Sequence, residues 1–191
     1  PISVIPKKVI NAFISAEDKD FYNHFGIDLL ATLRALITNL KNVGTNKRLI
    51  GASTITQQVA KNFLLSSEVS YERKIKEAIL AIRIERAFTK NEILELYLND
   101  IYLGFKSYGV AAAALNYFDK SLDNLDLSEA AFLAALPKAP NNYNPIYKKK
   151  QAVMRRNWVL SQMSKNGFIK DDIRKIESKK LSLIHISEPT R

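Results

Sequence analysis

The sequence contains no cysteine, which excludes disulfide bonds and thiolate metal sites. It has only two histidines, His24 and His185, so a histidine-based metal site is not expected. Glycine and proline are sparse, at six residues each, and no stretch has the composition of a disordered low-complexity segment. At 191 residues, the chain is long enough for one domain with a buried core and room for a small additional lobe.

Long apolar segments are also missing. No window holds eighteen uncharged apolar residues, so no segment is predicted to span a bilayer. No signal peptide is recognisable, and the chain opens at Pro1 without an initiator methionine. We therefore expect an excised segment whose native N-terminus, with any membrane anchor, lies outside this sequence. Residues 182–191 show neither a helix-capping pattern nor the apolar periodicity of a packed element, and they are predicted to be a non-native tail.

Negative charge is the scarcer sign, with 19 acidic residues against 29 lysines and arginines, which gives a net charge of +10. This excess indicates an anionic partner, and charge alone leaves open a nucleic acid, an anionic membrane surface or a phosphorylated substrate. No basic stretch is interleaved with aromatic residues, as stacking on nucleic-acid bases requires. Nucleic acid is therefore not a predicted partner.

Helical periodicity dominates the sequence, and no alternating run of any length predicts a strand. The predicted fold class is all-α. A first helix is expected after Pro6, which suits a first helical turn. The other predicted helices cover residues 27–40, 53–62, 70–87, 91–103 (ended by Gly104), 109–115, 127–136 (capped by Ser128), 149–165 and 171–180.

One carboxylate lies on an apolar stripe of the first helix. The apolar positions are Val9, Ile10, Phe13, Ile14 and Phe21. Glu17 falls in line with them rather than opposite them, so it is expected to lose water. Desolvated carboxylates serve general acid–base chemistry. The helix by itself favours another interpretation, in which Glu17 is a surface residue at a frayed helix end.

A second candidate site begins where the loop after Gly51 turns into a helix. Ser53 or Thr54 is the predicted N-cap, and Gln57 follows Thr54 at capping-box spacing. Ser53, Gln57 and Lys61 repeat every four residues and would present a hydroxyl, an amide and an ammonium on one face, which suits a pyrophosphate. An ordinary capped helix with a polar outer face fits the same pattern.

Two further helices carry features of interest. Residues 27–40 have an apolar face, and a polar loop then leads to Leu49 and Ile50; this segment fits a membrane surface or, equally, a core-packing helix. On the helix predicted at 70–87, Arg73 can pair with Glu77, a surface pair worth about 0.3–0.5 kcal/mol. Its apolar stripe consists of Tyr71, Ile75, Ile79 and Ile82.

Four of these stretches, taken in order, resemble the glycosyltransferase (transglycosylase) domain of class A penicillin-binding proteins. They are residues 17–21 with His24 and Gly26, residues 51–58, residues 73–77, and the run from Tyr97 through Gly104 to Gly109, with residues 155–160 in support. The resemblance covers residues 1–181 and leans towards the bifunctional proteins. The family usually has glycine after Tyr117-Phe118, where this chain has Asp119, a residue that tolerates left-handed backbone.

The resemblance implies a lysozyme-like helical fold with a small membrane-associated hydrophobic lobe formed by residues 27–50. It also implies inverting transfer of a growing glycan, carried on polyprenyl pyrophosphate, onto the 4-hydroxyl of an acceptor lipid II. The implied location is the outer face of the bacterial cytoplasmic membrane. The implied partners are lipid II, the growing glycan strand, the membrane surface and cell-wall synthesis proteins.

Residue roles follow from the same resemblance. Glu17 is similar to the family's general base, and Glu77 to its second essential carboxylate, on the donor side. Ser53, Gln57, Lys61 and Arg73 map to positions that bind or flank the donor phosphates, where a divalent cation, Mg²⁺ or Mn²⁺, often assists. The other substrate-binding positions implied are Asp18, Phe21, His24, Thr54, Gln58, Lys74, Asn99, Tyr102 and Gly104.

Two alternative functions remain open. A lysozyme-like hydrolase or lytic enzyme also uses paired carboxylates, although it should not need the hydroxyl-rich, basic second stretch or a membrane-facing lobe. A non-catalytic basic helical module that binds a membrane or nucleic acid is the other alternative. In that protein, replacement of Glu17 or Glu77 by glutamine would have no effect.

Overall fold

The computed structural model describes residues 1–45, 51–64 and 70–180. Within these residues the regular structure is helical, apart from one isolated bridge between Tyr102 and Tyr108, so the all-α prediction is confirmed. The predicted tail at 182–191 and the apolar return at Leu49 and Ile50 lie outside the described residues. The α-helices of the described residues are α1 (Lys7–Glu17), α2 (Leu29–Lys41), α3 (Ile55–Leu64), α4 (Tyr71–Ala87), α5 (Lys90–Asp100), α6 (Val110–Phe118), α7 (Leu127–Leu133), α8 (Lys149–Lys165) and α9 (Asp171–Ser178).

The chain divides into two compact units, of which the first comprises residues 1–19 and the chain from residue 98 onward. Its centre is α7, where every residue from 128 to 133 is buried. Helices α1, α6, α8 and α9 pack against α7, and the alanines of α7 allow close approach. The apolar stripe predicted on α1 is part of this core, because Val9, Phe13 and Ile14 are buried. This packing fixes the end of α1, where Glu17 lies.

The second unit comprises residues 20–97. Helix α3 packs against α4, and the buried residues of α3 include Ile55, Val59 and Ala60. Helix α2 is much more exposed than α3, and Ala35 is its one buried residue. Its large apolar side chains are exposed to solvent, namely Leu29, Leu30, Leu33, Leu36, Ile37 and Leu40. No helix of the described residues is both long and apolar enough to cross a membrane.

The stripe predicted on α4 does not face the core. Tyr71 is 93% exposed and Ile75 is 62% exposed, whereas Glu77, Ala81 and Ile84 are buried. Gly26 approaches the backbone of α4 closely because it has no side chain: a Cβ on Gly26 would lie 2.7 Å from the Ala81 carbonyl carbon. The periodicity of the sequence therefore identified an apolar face of α4, but a different face of this helix is buried in the structure.

Several helix ends differ from the prediction. Helix α5 ends at Asp100 instead of Leu103, because residues 101–108 form a tight turn in which Gly104 has a φ of +86°. Helix α7 is capped by Asp126 instead of Ser128 and ends at Leu133. Asp119 adopts the left-handed conformation expected of it, with a φ of 54° after α6.

Asp126 forms a complete capping box at the start of α7. Its side chain accepts a hydrogen bond from the Glu129 amide (2.8 Å), and the Glu129 side chain accepts one from the Asp126 amide (2.7 Å). Burial would raise the pKa of Asp126, but hydrogen bonds from the Glu129 amide, the Ser128 hydroxyl and the Lys180 ammonium outweigh it and hold the pKa below its usual 3.8. The ionised side chain is therefore stabilised by folding.

Replacing this cap is expected to destabilise the protein. We predict that Asp126→Ala lowers the free energy of unfolding by about 1–2 kcal/mol at pH 7. Because the folded-state pKa is depressed, the contribution is complete above pH 4 and is lost as the pH falls through that lower pKa. Urea unfolding at pH 7 and pH 3 checks both statements. Asp123→Ala, at an exposed position, is the matched control, and an equal loss in both variants would contradict the prediction.

Candidate functional site

Glu17 ends α1 and is half-buried. The helix below it is anchored by Phe13, which is fully buried, and the Asp18 amide donates to the Ile14 carbonyl (3.0 Å). Asp18 itself is buried as the C-cap of α1. Glu17 therefore extends from a fixed helix end and keeps some access to solvent, which is the setting that a general base requires.

Arg155 is a residue whose role the sequence did not indicate beyond its place in the supporting stretch. Its guanidinium interacts electrostatically with Glu17 and Tyr143 and lies 3.8 Å from the centre of the Trp158 ring. Burial lowers the pKa of Arg155, and the negative charge of Glu17 opposes that shift. The spacing of Arg155 and Trp158, one helical turn apart, was the available signal. The first unit thus brings a cation to the predicted base.

Asn99, Tyr102 and Gly104 lie in the first unit, near the end of α5 and in the turn that follows it. Asn99 is exposed near the end of α5, and the Tyr102 ring lies 5.0 Å from that of Tyr108. A Cβ on Gly104 would lie 2.7 Å from the Tyr117 hydroxyl, which donates to the Leu103 carbonyl (2.7 Å). Glycine is therefore required at position 104, and its effect on a substrate would come through the shape of this turn.

In the second unit, Thr54 and Gln57 form the predicted capping box of α3. The Thr54 amide donates to the Gln57 side chain (2.9 Å), and the Gln57 amide donates to the Thr54 hydroxyl (3.1 Å). Both side chains are buried. The predicted face of Ser53, Gln57 and Lys61 is consequently not formed: Ser53 precedes the helix, Gln57 is used in the cap, and Lys61 is exposed.

Lys74 joins the second and third sequence motifs. Its ammonium donates to the Ser53 hydroxyl (2.8 Å) and forms an ion pair with Glu77. The Glu77 side chain is 3% exposed, whereas that of Lys74 is 48% exposed. The predicted pairing of Arg73 with Glu77 is therefore replaced by a pairing with Lys74. The buried Nε of Arg73 has no hydrogen-bond partner among the described residues.

Phe21 and His24 are held in the framework of the second unit. The Phe21 ring is fully buried, with the Lys90 ammonium 4.5 Å from its centre. Lys90 also donates to the His24 carbonyl (2.6 Å) and pairs with Glu85 (2.7 Å). The Phe21 ring thus packs in the protein interior. Gln58 is partly exposed and accepts a hydrogen bond from the Tyr97 hydroxyl (3.4 Å).

A cavity of about 540 Å³ lies near the start of α2. Its walls are mainly apolar, with contributions from Leu29, Leu30 and Ile82, and two carboxylates, Asp20 and Asp28, border it. Of the predicted site residues, His24 is the one that lines it. The cavity is therefore separate from the Ser53, Lys74 and Glu77 group.

The described residues contain no cluster of three histidine or acidic side chains suited to a metal ion. In the Ser53, Lys74 and Glu77 group, the one carboxylate is already paired with an ammonium. These residues do not fit a resident divalent cation, because such an ion would have to displace Lys74 from Glu77. The Mg²⁺ or Mn²⁺ that the resemblance implies stays a prediction, and the Ser53, Lys74 and Glu77 group does not support it.

Comparisons with known proteins give one family model and a consistent set of relatives. A family model described as "Transglycosylase" matches residues 1–164. Penicillin-binding protein 1A of Rickettsia felis is 55% identical over 175 residues, which are 92% of this chain and 22% of that protein. Penicillin-binding protein 1A of Escherichia coli is 53% identical over 165 residues, 86% of this chain and 19% of that protein. The chain thus spans about a fifth of the length of these relatives.

A solved structure agrees with the sequence matches. The crystal structure of penicillin-binding protein 1A from Haemophilus influenzae aligns with a TM-score of 0.57 and 30% sequence identity. The alignment covers 98% of this chain and 18% of that chain. The similarity therefore extends over both compact units.

Proposed function

The chain belongs to the transglycosylase family, that of the peptidoglycan glycosyltransferases, and from this premise we propose that it lengthens glycan strands using lipid II. Its fold is the all-α, lysozyme-like fold of that family. The observation that carries the proposal is Glu17, half-buried at a fixed helix end with the Arg155 cation nearby. A carboxylate in this setting can accept a proton from a sugar hydroxyl.

The proposed reaction is a single inverting displacement. The 4-hydroxyl oxygen of the acceptor lipid II forms a bond to the anomeric carbon of the growing glycan. The bond from that carbon to the pyrophosphate oxygen breaks, and its electron pair leaves with the pyrophosphate. The hydroxyl proton passes to the Glu17 carboxylate. Because the nucleophile enters opposite the leaving group, the anomeric configuration inverts.

The leaving pyrophosphate needs positive charge and hydrogen-bond donors more than it needs a strong acid. Ser53, Lys61, Arg73 and Lys74 are the proposed donor-side groups. Ser53 and Lys74 are in direct contact, and the Lys61 and Lys74 ammonium groups are open to solvent. Glu77 is the proposed second carboxylate on this side. The net charge of +10 favours an anionic substrate of this kind.

We further propose that residues 27–50 form the membrane-associated lobe and that the chain acts at the outer face of the cytoplasmic membrane. The supporting observation is the exposed apolar surface of α2, which includes Leu30 and Leu33. A helix with an exposed apolar face binds at the lipid interface by burying that face. Lipid II and the growing strand would be met there, and cell-wall synthesis proteins are the proposed partners.

Charged substitutions on α2 test whether its exposed apolar face binds to a membrane. We predict that Leu30→Glu and Leu33→Glu each weaken binding to phosphatidylglycerol vesicles by about tenfold, because each removes an exposed leucine whose burial in the lipid interface is worth about 1.5 kcal/mol. Co-sedimentation measures the effect. Leu115→Glu on α6, also at an exposed position, is the matched control and should bind as the wild type does. Equal losses in all three variants would mean that general charge, not α2, controls binding.

The proposed function is tested with fluorescent lipid II and the purified chain in detergent. A ladder of lengthening glycan products on a gel is the expected result. A chain that shortens preformed glycan would instead be a lytic enzyme. A chain that binds membranes but alters neither substrate would be a non-catalytic module.

A further inference from the structure

Lys90 is a largely buried cation of the second unit. Its side chain is 20% exposed, and its ammonium forms an ion pair (2.7 Å) with Glu85, whose side chain is 3% exposed. The same ammonium donates to the His24 carbonyl (2.6 Å) and lies 4.5 Å from the centre of the Phe21 ring. One charge therefore holds both a ring and a backbone carbonyl of the segment formed by residues 21–26.

The Glu85 carboxylate connects this segment to α3. Its Oε1 accepts hydrogen bonds from the Lys90 ammonium and from the Thr56 hydroxyl (2.6 Å). Thr56 is fully buried in the first turn of α3. A second connection joins the same two parts of the chain, since the Thr54 hydroxyl donates to the Gly26 carbonyl (2.6 Å). The segment and the start of α3 are thus held together through Lys90 and Glu85.

Stability alone does not explain a charged pair in this interior position. Withdrawing two charged groups from water costs about as much free energy as their attraction returns, so apolar side chains of similar volume often stabilise a fold equally well. What the pair supplies in addition is direction, because an ammonium and a carboxylate fix the positions of the groups that hydrogen-bond to them. The contacts of Lys90 therefore indicate a role in placement.

We propose that Lys90 is a positioning residue, and that its pair with Glu85 holds residues 21–26 against the start of α3 in the arrangement that glycan transfer needs. This inference rests on the proposed function, in which the segment follows the base Glu17 and α3 follows the donor-side Ser53. Lys90 acts through the groups it holds and takes no part in proton transfer. A misplacement of about 1 Å can lower a rate about a hundredfold, so loss of the pair should slow turnover even in a folded chain.

Thermal unfolding of three variants measures the contribution of the pair to stability. Lys90→Met leaves the buried Glu85 charge unpaired and should lower Tm by about 10 °C. Lys90→Met combined with Glu85→Gln removes both charges, keeps an oxygen to accept from Thr56, and should regain most of that loss. Lys76→Met combined with Glu72→Gln removes the same charges at an exposed pair and is the matched control, with the wild-type Tm.

Glycan formation from fluorescent lipid II then distinguishes placement from stability. We expect the Lys90→Met, Glu85→Gln double variant to have a kcat about ten- to hundredfold below wild type, because no cation holds the His24 carbonyl and the Phe21 ring. The control pair should keep the wild-type kcat. A kcat that recovers together with Tm would overturn the proposal. A double variant as unstable as Lys90→Met would also contradict it, because the pair would then be needed for the fold itself.

Hydrogen exchange tests the placement without turnover. Amides of residues 21–26 should exchange about tenfold faster in the double variant than in the wild type, whereas those of α8 in the first unit should not change. If the wild type forms no glycan but the variant shows this faster exchange, the proposed function is wrong and Lys90 still holds the segment. If the wild type forms glycan and exchange is the same in both chains, the role of Lys90 alone is wrong.

Discussion

Glu17→Gln is expected to lower kcat for glycan polymerisation by about a hundred- to ten-thousandfold, the usual contribution of a general base. Glutamine keeps the shape of the side chain, but an NH₂ donor replaces one of the two acceptor oxygens and the amide cannot take the proton of the acceptor hydroxyl. The fold should be unaffected, because the buried part of α1 ends with Phe13, Ile14 and Ser15 and Glu17 itself is half-exposed. Gel analysis of lipid II products, with a thermal unfolding curve alongside, makes the measurement.

Glu72→Gln is the matched control for this variant. Glu72 is exposed on α4 and pairs with Lys76 (2.6 Å), so its loss removes the same charge at a surface ion pair. We expect wild-type activity from it. A Glu17→Gln chain that retains more than a tenth of the wild-type kcat would remove Glu17 from the role of base. Shortening of preformed glycan by the wild type would favour the hydrolase.

The parts of the fold that the sequence predicted were those set by local chemistry. Helix α8 has the predicted bounds, Lys149–Lys165, because Asn166 and Gly167 end it. The Thr54 and Gln57 capping box was predicted from a spacing of three residues. The cap of α7 was misplaced by two residues, since Asp126 and Ser128 are both good caps and only Asp126 has Glu129 three residues on.

The parts that the sequence missed depend on contacts between distant residues. The four-residue repeat of Ser53, Gln57 and Lys61 places side chains on one face only inside a helix, and α3 begins after Ser53. The contact of Ser53 with Lys74 joins residues 21 apart across two helix starts. Arg155 interacts with Glu17 from the far end of the sequence. Periodicity cannot reveal such pairs, because it describes one helix at a time.

Gly109 also contacts a residue outside its own helix, the Asn99 backbone, and this contact makes the position sensitive to substitution. Its φ of 78° and ψ of 158° lie in a region that is essentially restricted to glycine. A Cβ there would lie 2.4 Å from the Asn99 carbonyl oxygen and 2.9 Å from its carbonyl carbon, which are backbone atoms with little freedom to move. Gly109→Ala is therefore expected to lower the free energy of unfolding by about 3 kcal/mol or more, from backbone strain and overpacking together. Urea unfolding measures this loss.

Gly167→Ala separates the two contributions to that loss. Gly167 also has a positive φ, of 76°, but a Cβ there would meet nothing within 4 Å. Its replacement should cost about 1 kcal/mol, from backbone conformation alone. Gly109→Ala should in addition reduce glycan polymerisation, because it displaces Asn99 and the turn that carries Tyr102 and Gly104, whereas Gly167→Ala should not. Equal destabilisation by the two substitutions would mean that the close approach of Gly109 to Asn99 does not constrain the fold.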